Sequence, residues 1–218
     1  QAGTVVVCGS FTTAGGGPAN RIARWNGSAW SSLGAGLPFV ATEVATTGGG
    51  QVIVRGGTER WYFDGSTWAP LQLPFAYNMV AAVAAPEGDF ILGGLFQTPQ
   101  GTIGTMRFDH GVLTPTQPQP WFVSRFGTDA RGRVLANVTN LTGGGFIRLD
   151  GNSWTTLPGA VPTAQWITGL PNGDPLVLSA TGSNAVAMYR HDGAGWAPFS
   201  APVQRSQYAS ANPVTAAC

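Results

Sequence analysis

The sequence predicts an all-β chain: a five-bladed β-propeller of four-stranded blades, one domain over residues 1–218, with the C-terminal strand completing the first blade. Three observations predict it. The first is a phrase: Arg24-Trp25-Asn26-Gly27-Ser28-Ala29-Trp30 returns as Tyr62-Phe63-Asp64-Gly65-Ser66-Thr67-Trp68, Arg148-Leu149-Asp150-Gly151-Asn152-Ser153-Trp154 and Arg190-His191-Asp192-Gly193-Ala194-Gly195-Trp196. Arg107-Phe108-Asp109-His110-Gly111-Val112-Leu113 is a degraded copy. Its Asn or Asp falls at 26, 64, 109, 150 and 192, in steps of 38, 45, 41 and 42 residues, and such a period marks a blade array. The second is a pair of turn signals in each repeat, with no window of helical apolar spacing. The third is an unfinished repeat at either end.

Each repeat divides into four strands. The first strands are 39–46, 78–85, 121–128, 163–170 and, more weakly, 205–211. Turns such as Thr47-Gly48-Gly49-Gly50 and Pro86-Glu87-Gly88-Asp89 follow them. Second strands rich in Val, Ile and Leu come next: 5–8, 51–55, 90–92, 133–136 and 175–179. The third strand carries the Arg-aromatic text and ends at Asn/Asp-Gly, the preferred pair for a type I′ hairpin. The fourth holds the Trp, followed three residues later by Leu33, Leu71, Thr116, Leu157 or Phe199. The first repeat lacks its first strand, and 205–211 has no successor, so the last strand is expected beside the first blade. Closure of that kind removes exposed sheet edges. Cys8 and Cys218, the two cysteines, are expected to staple it, a bridge worth roughly 4–5 kcal/mol in the loop-entropy model.

Composition excludes more than it identifies. The net charge of +1 gives no electrostatic case for nucleic acid. All eleven basic residues are Arg, and charged residues make up 10% of the chain against about 25% in an average protein. No apolar run reaches about 18 residues, so no membrane insertion is expected. A start at Gln1 rather than Met suggests a processed product or a fragment, and the even cysteine count fits an exported protein. The expected location is therefore secreted, periplasmic or cell surface.

Chemistry-bearing residues are sparse. Of ten acidic residues, Asp64, Asp109, Asp150 and Asp192 belong to the repeated turn, and Glu87, Asp89, Asp129 and Asp174 to the hairpins between first and second strands. Only Glu43 and Glu59 remain, which is thin for paired-carboxylate hydrolysis. The repeated Arg and Asp share a strand face two residues apart, which suits an ion pair or a turn cap. His110 and His191 read as exposed turn residues of different blades, so no metal or other cofactor is expected. Gly15–Gly17, Gly48–Gly50 and Gly143–Gly145 read as turns, since no strand-to-helix setting makes them phosphate loops. Trp30, Trp68, Trp154 and Trp196 stand at one repeated position, which favours packing between blades over sugar stacking.

The text from Phe11 to Gly34 resembles a repeat of secreted bacterial β-propellers related to kelch and galactose-oxidase-like propellers. Their pattern runs G-G-x-F-T-x-A-G-G, then A-N-x-I-A-R-W-[DN]-G-S-x-W-x-x-L-G. The first repeat matches nearly throughout, with Cys8-Gly9 in place of Gly-Gly, and Gly93-Gly94-Leu95-Phe96-Gln97-Thr98 is a remnant of the insert. The resemblance implies binding or adhesion. The expectation is thus a non-catalytic extracellular binding or scaffolding module, a candidate subunit of a larger assembly, that presents loops 11–20, 95–105 and 113–121 to a protein partner or surface glycan. Its contacts are expected at Trp121, Trp61, Trp166, Phe11, Phe96 and Arg125. The alternatives are a multivalent lectin, and a hydrolase with one pocket near the channel involving Glu43, Glu59 or Arg125.

Overall fold

The computed structural model describes residues 4–73, 76–99, 101–116, 122–140, 143–159, 164–180, 185–200 and 203–204. Among these the chain is all β, with no helix, and it divides into two compact units, 1–126 and 127–218.

The first unit begins with β1 (Val5–Cys8), a two-residue hairpin of β2 (Thr13–Ala14) and β3 (Gly17–Pro18), then β4 (Ile22–Trp25) and β5 (Trp30–Ser32). β1, β4 and β5 form a three-stranded sheet in that order. The next repeat gives β6 (Glu43–Thr46), β7 (Val52–Gly56), β8 (Glu59–Phe63) and β9 (Trp68–Pro70), a complete four-stranded meander. β10 (Ala76–Ala84), β11 (Phe90–Thr98), β12 (Gly101–Asp109) and β13 (Val112–Pro115) form another. Such antiparallel meanders are the blade unit of propeller architecture.

The chain divides inside β14 (Phe122–Thr128), which opens a further meander with β15 (Val134–Asn140), β16 (Gly143–Asp150) and β17 (Ser153–Leu157). β18 (Ala164–Gly169), β19 (Pro175–Ala180), β20 (Ala185–His191) and β21 (Trp196–Pro198) form the next, and β22 (Val203–Gln204) pairs with the start of β20. The expected closing strand 205–211 and Cys218 lie outside the described residues. Cys8 is a free thiol among the described residues, and the expected staple involves Cys218, which lies outside them. Burial and the nearby Glu43 charge raise its pKa, which keeps it protonated.

Apolar side chains lie between successive sheets. Ile22, Leu33, Val52, Val54 and Phe63 close one cluster between the first two sheets. Ile53, Met79, Phe90, Leu92, Phe96 and Phe108 close another between the second and third, where Tyr62 meets Phe108 edge-on at 4.8 Å. In the second unit Leu135, Phe146, Leu157, Ile167 and Val177 do the same. The repeated Trp serves these seams. Trp68 Nε1 donates to Leu33 O of the preceding sheet at 2.7 Å, and Trp196 lies 4.8 Å from Phe146 of the sheet before it. Leu33, Leu71, Thr116 and Leu157, three residues past the Trp position, are buried, whereas Phe199 is exposed.

The repeated turn departs from the type I′ expectation in most copies. Asn26 Oδ1 accepts from Ser28 N and Ala29 N, both at 2.9 Å, and Asp64 and Asp192 accept from their equivalents. The side chain thereby holds a four-residue loop between paired Trp25 and Trp30, and only the Gly takes positive φ. Asp109 pairs with Val112 instead, and His110 and Gly111 both have positive φ, as type I′ demands. Three further expectations are corrected. Gly143–Gly145 lies within β16 as strand, because it pairs with Val138–Asn140. The expected 95–105 loop is a long β11–β12 hairpin with a register shift between Gly93 and Phe96. His191 is 3% exposed: its Nδ1 accepts from Gly193 N, and its Nε2 lies 3.2 Å from Pro158 O.

Candidate functional site

The repeat places an arginine on the third strand of four sheets. In the later copies a carboxylate answers it. Arg107 pairs across the ladder with Ile91, and Asp89, two residues upstream, holds its guanidinium at 2.6 Å. Arg190 pairs with Leu176, and Asp174, again two upstream, lies 3.9 Å away. In the β14–β17 sheet the upstream position is Arg133, and Arg148 turns to Asp150 at 3.0 Å. The expected pairing within the phrase therefore occurs at Arg148, while Arg107 and Arg190 use the hairpin Asp of their own sheet.

Arg24 breaks this pattern. It pairs with Val6, and the residue two upstream is Thr4. Among the described residues no carboxylate lies within ion-pair distance of Arg24. One terminal nitrogen donates to Gly50 O at 3.2 Å, and Nε is buried without a partner. A buried donor left unpaired costs about 1–3 kcal/mol, so this guanidinium is held under-satisfied.

A cleft opens beside it. Thr4, Val6 of β1, Arg24 of β4 and the Thr46–Gly50 hairpin with Val52 line a cavity of about 460 Å³. Small-molecule sites typically span roughly 300–1,000 Å³, which this volume meets. Arg24 stands opposite Val6, and Thr4 immediately precedes β1, two residues before Val6. The hairpin is braced by Gly50 N donating to Thr47 O at 3.1 Å and Thr47 N donating to Gln51 O at 3.1 Å. A Cβ added at Gly48 would meet nothing within 4 Å, so the glycines leave the cleft open.

The residues expected from the sequence fall elsewhere. Phe96 is fully buried in the core and has no surface to offer a partner. Trp61 packs against the first-to-second-sheet cluster, 6.1 Å from Phe39, with Nε1 donating to Glu59 Oε2 at 3.2 Å. Trp166 is 36% exposed, Arg125 is exposed and Phe11 is half-buried beside the β2–β3 hairpin. Trp121 lies outside the described residues. Glu43 is committed to an ion pair with Arg55, which raises the Arg55 pKa. Among the described residues no three His, Cys, Asp or Glu side chains are grouped to hold a metal, and no helix is long and apolar enough to cross a membrane. Sequence reasoning passed over Arg24 as one frame residue among several. The available signal was Thr4 standing where two later copies carry Asp89 and Asp174.

No family model and no curated protein matches the chain. Solved structures similar to it include YCF48 bound to a D1 peptide, at 18% identity and TM-score 0.48 over 82% of this chain and 60% of that one. The chain thus spans 60% of YCF48's length. A protein provisionally named a gluconolactonase matches at 15% identity and TM-score 0.48, over 82% of this chain and 69% of that one. A gluconolactonase from Xanthomonas campestris matches at 10% identity and TM-score 0.49, over 82% and 68%. Two of these three bear an enzyme's name, whereas the sequence led to the expectation of a non-catalytic display module. The antiparallel meanders fit a propeller repeat, and nothing in them specifies the kelch or galactose-oxidase-like type.

Proposed function

We propose that this chain is a propeller that takes a small molecule in the cleft between its first two sheets, with Arg24 as the polar anchor. The observation that carries this is a cavity of small-molecule size opening at the one repeat arginine that lacks a carboxylate among the described residues. The proposal extends to the frame: five sheets form one ring, and residues 205–211 pair with β1, whose sheet has three strands where the other blade sheets have four or five. A rigid ring would hold the two walls of the cleft at fixed separation.

The test is a crystallographic soak with a library of small polar fragments. Density in the Thr4–Arg24–Gly48 cleft is the expected result, and occupancy only elsewhere overturns the proposal. Turnover is followed in parallel on lactones, the substrate class that the gluconolactonase name denotes. The Gly48→Trp variant places an indole where the structure leaves open space. It is expected to abolish binding, and any turnover, while the far-ultraviolet spectrum stays unchanged.

A further inference from the structure

We infer that the cleft recognises a carboxylate, and that the ligand supplies in the first sheet the counter-charge that Asp89 and Asp174 supply in later ones. The inference rests on the cleft being the ligand site. Its starting point is a comparison within the molecule. In the β10–β13 and β18–β21 sheets, the residue two upstream of the arginine's ladder partner is an aspartate directed at that arginine. In the first sheet the same position is Thr4, which borders the cleft together with Arg24. A shorter, neutral side chain therefore stands where the internal carboxylate would be, and accessible volume remains beside the cation.

The chemistry of the walls narrows the class. Among the described residues, Arg24 is the only charged one lining the cleft. One cation balances a single negative charge, which favours a carboxylate over a dianionic phosphate. The planar guanidinium also matches a carboxylate edge through its terminal nitrogens. The remaining polar lining is threonine hydroxyl and glycine backbone, suited to the hydroxyl groups of a hydroxylated acid. Val6 and Val52 give the carbon skeleton an apolar contact.

The experiment is calorimetric titration of the full chain with quinate, a hydroxylated monocarboxylate, against its neutral methyl ester and inorganic phosphate. Quinate is expected to bind at least about tenfold more tightly than methyl quinate, as a charge-assisted contact predicts, and binding should weaken as salt rises. Arg24→Gln should lose that preference. Thr4→Asp should also lose it and raise the melting temperature, because an internal carboxylate then occupies the site. Unchanged preference in Arg24→Gln overturns the inference, and phosphate binding more tightly than quinate overturns the choice of carboxylate. If the neutral ester occupies the cleft in a soaked crystal as well as quinate does, the carboxylate assignment falls while the cleft as ligand site stands. If neither occupies it, both fall.

Discussion

At the scale of single residues, the repeated Asn/Asp is a cap whose protonation matters. Backbone hydrogen bonds from Thr67 and Ser66 hold the Asp64 pKa far below its ordinary 3.8, and those from Ala194 and Gly195 lower that of Asp192. A carboxyl whose folded pKa is depressed adds stability above its unfolded value, and that stability is lost as pH falls through the folded value. Stability in urea should therefore decline below about pH 4. The double variant Asp64→Asn, Asp192→Asn should decline less between about pH 5 and pH 2, since Asn26 shows that an amide forms the same cap. Equal slopes for the two proteins would show that these caps carry none of the acid sensitivity.

At the scale of elements, the meander was legible because its signals are local. Apolar alternation, Gly-containing turns and a repeated Trp suffice to place β7 within a residue, whereas β6 begins at Glu43, four residues after the expected start at 39. The turn type was not legible. An Asx side chain can accept two backbone N–H groups, and that competes with the tight hairpin the dipeptide otherwise favours. His191 was misplaced for a related reason: its neighbours in sequence are turn residues, while its surroundings come from Trp196 and Pro158. The Arg24 cleft was half legible, since Thr4 is visible in the text but the volume beside it comes from the facing hairpin. Close passage of strands from successive sheets was invisible as well. A Cβ on Gly127 of β14 would fall on the backbone carbonyl of Ile167 in β18. Gly127→Ala should cost about 1–3 kcal/mol by overpacking, measured by chemical denaturation, whereas Gly145→Ala, with open space around it, should cost less.

At the scale of the whole molecule, the proposed ring makes a demand on residues 205–218. If they complete the first sheet, deleting them exposes the free edge of β1. Amide exchange at Val5–Cys8 should then accelerate by at least about tenfold, the equivalent of about 1.4 kcal/mol of lost protection, while β15 and β16 stay protected. Uniform exchange across the chain, or no change at β1, would place the closing contact elsewhere. Repeat spacing alone suggests a ring, but the contacts that shut one lie between residues far apart in sequence.

The indole of Trp68 reaches back to a carbonyl laid down 35 residues earlier, and Trp196 likewise leans on the sheet that precedes it. Such backward grips make synthesis a natural clock for assembly: each sheet leaving the ribosome meets a finished surface, like a tile laid on the course below. Nascent chains arrested past residue 73 but before the third sheet should already protect Trp68 from quencher. If that protection appears only once the chain is released, assembly waits for the whole.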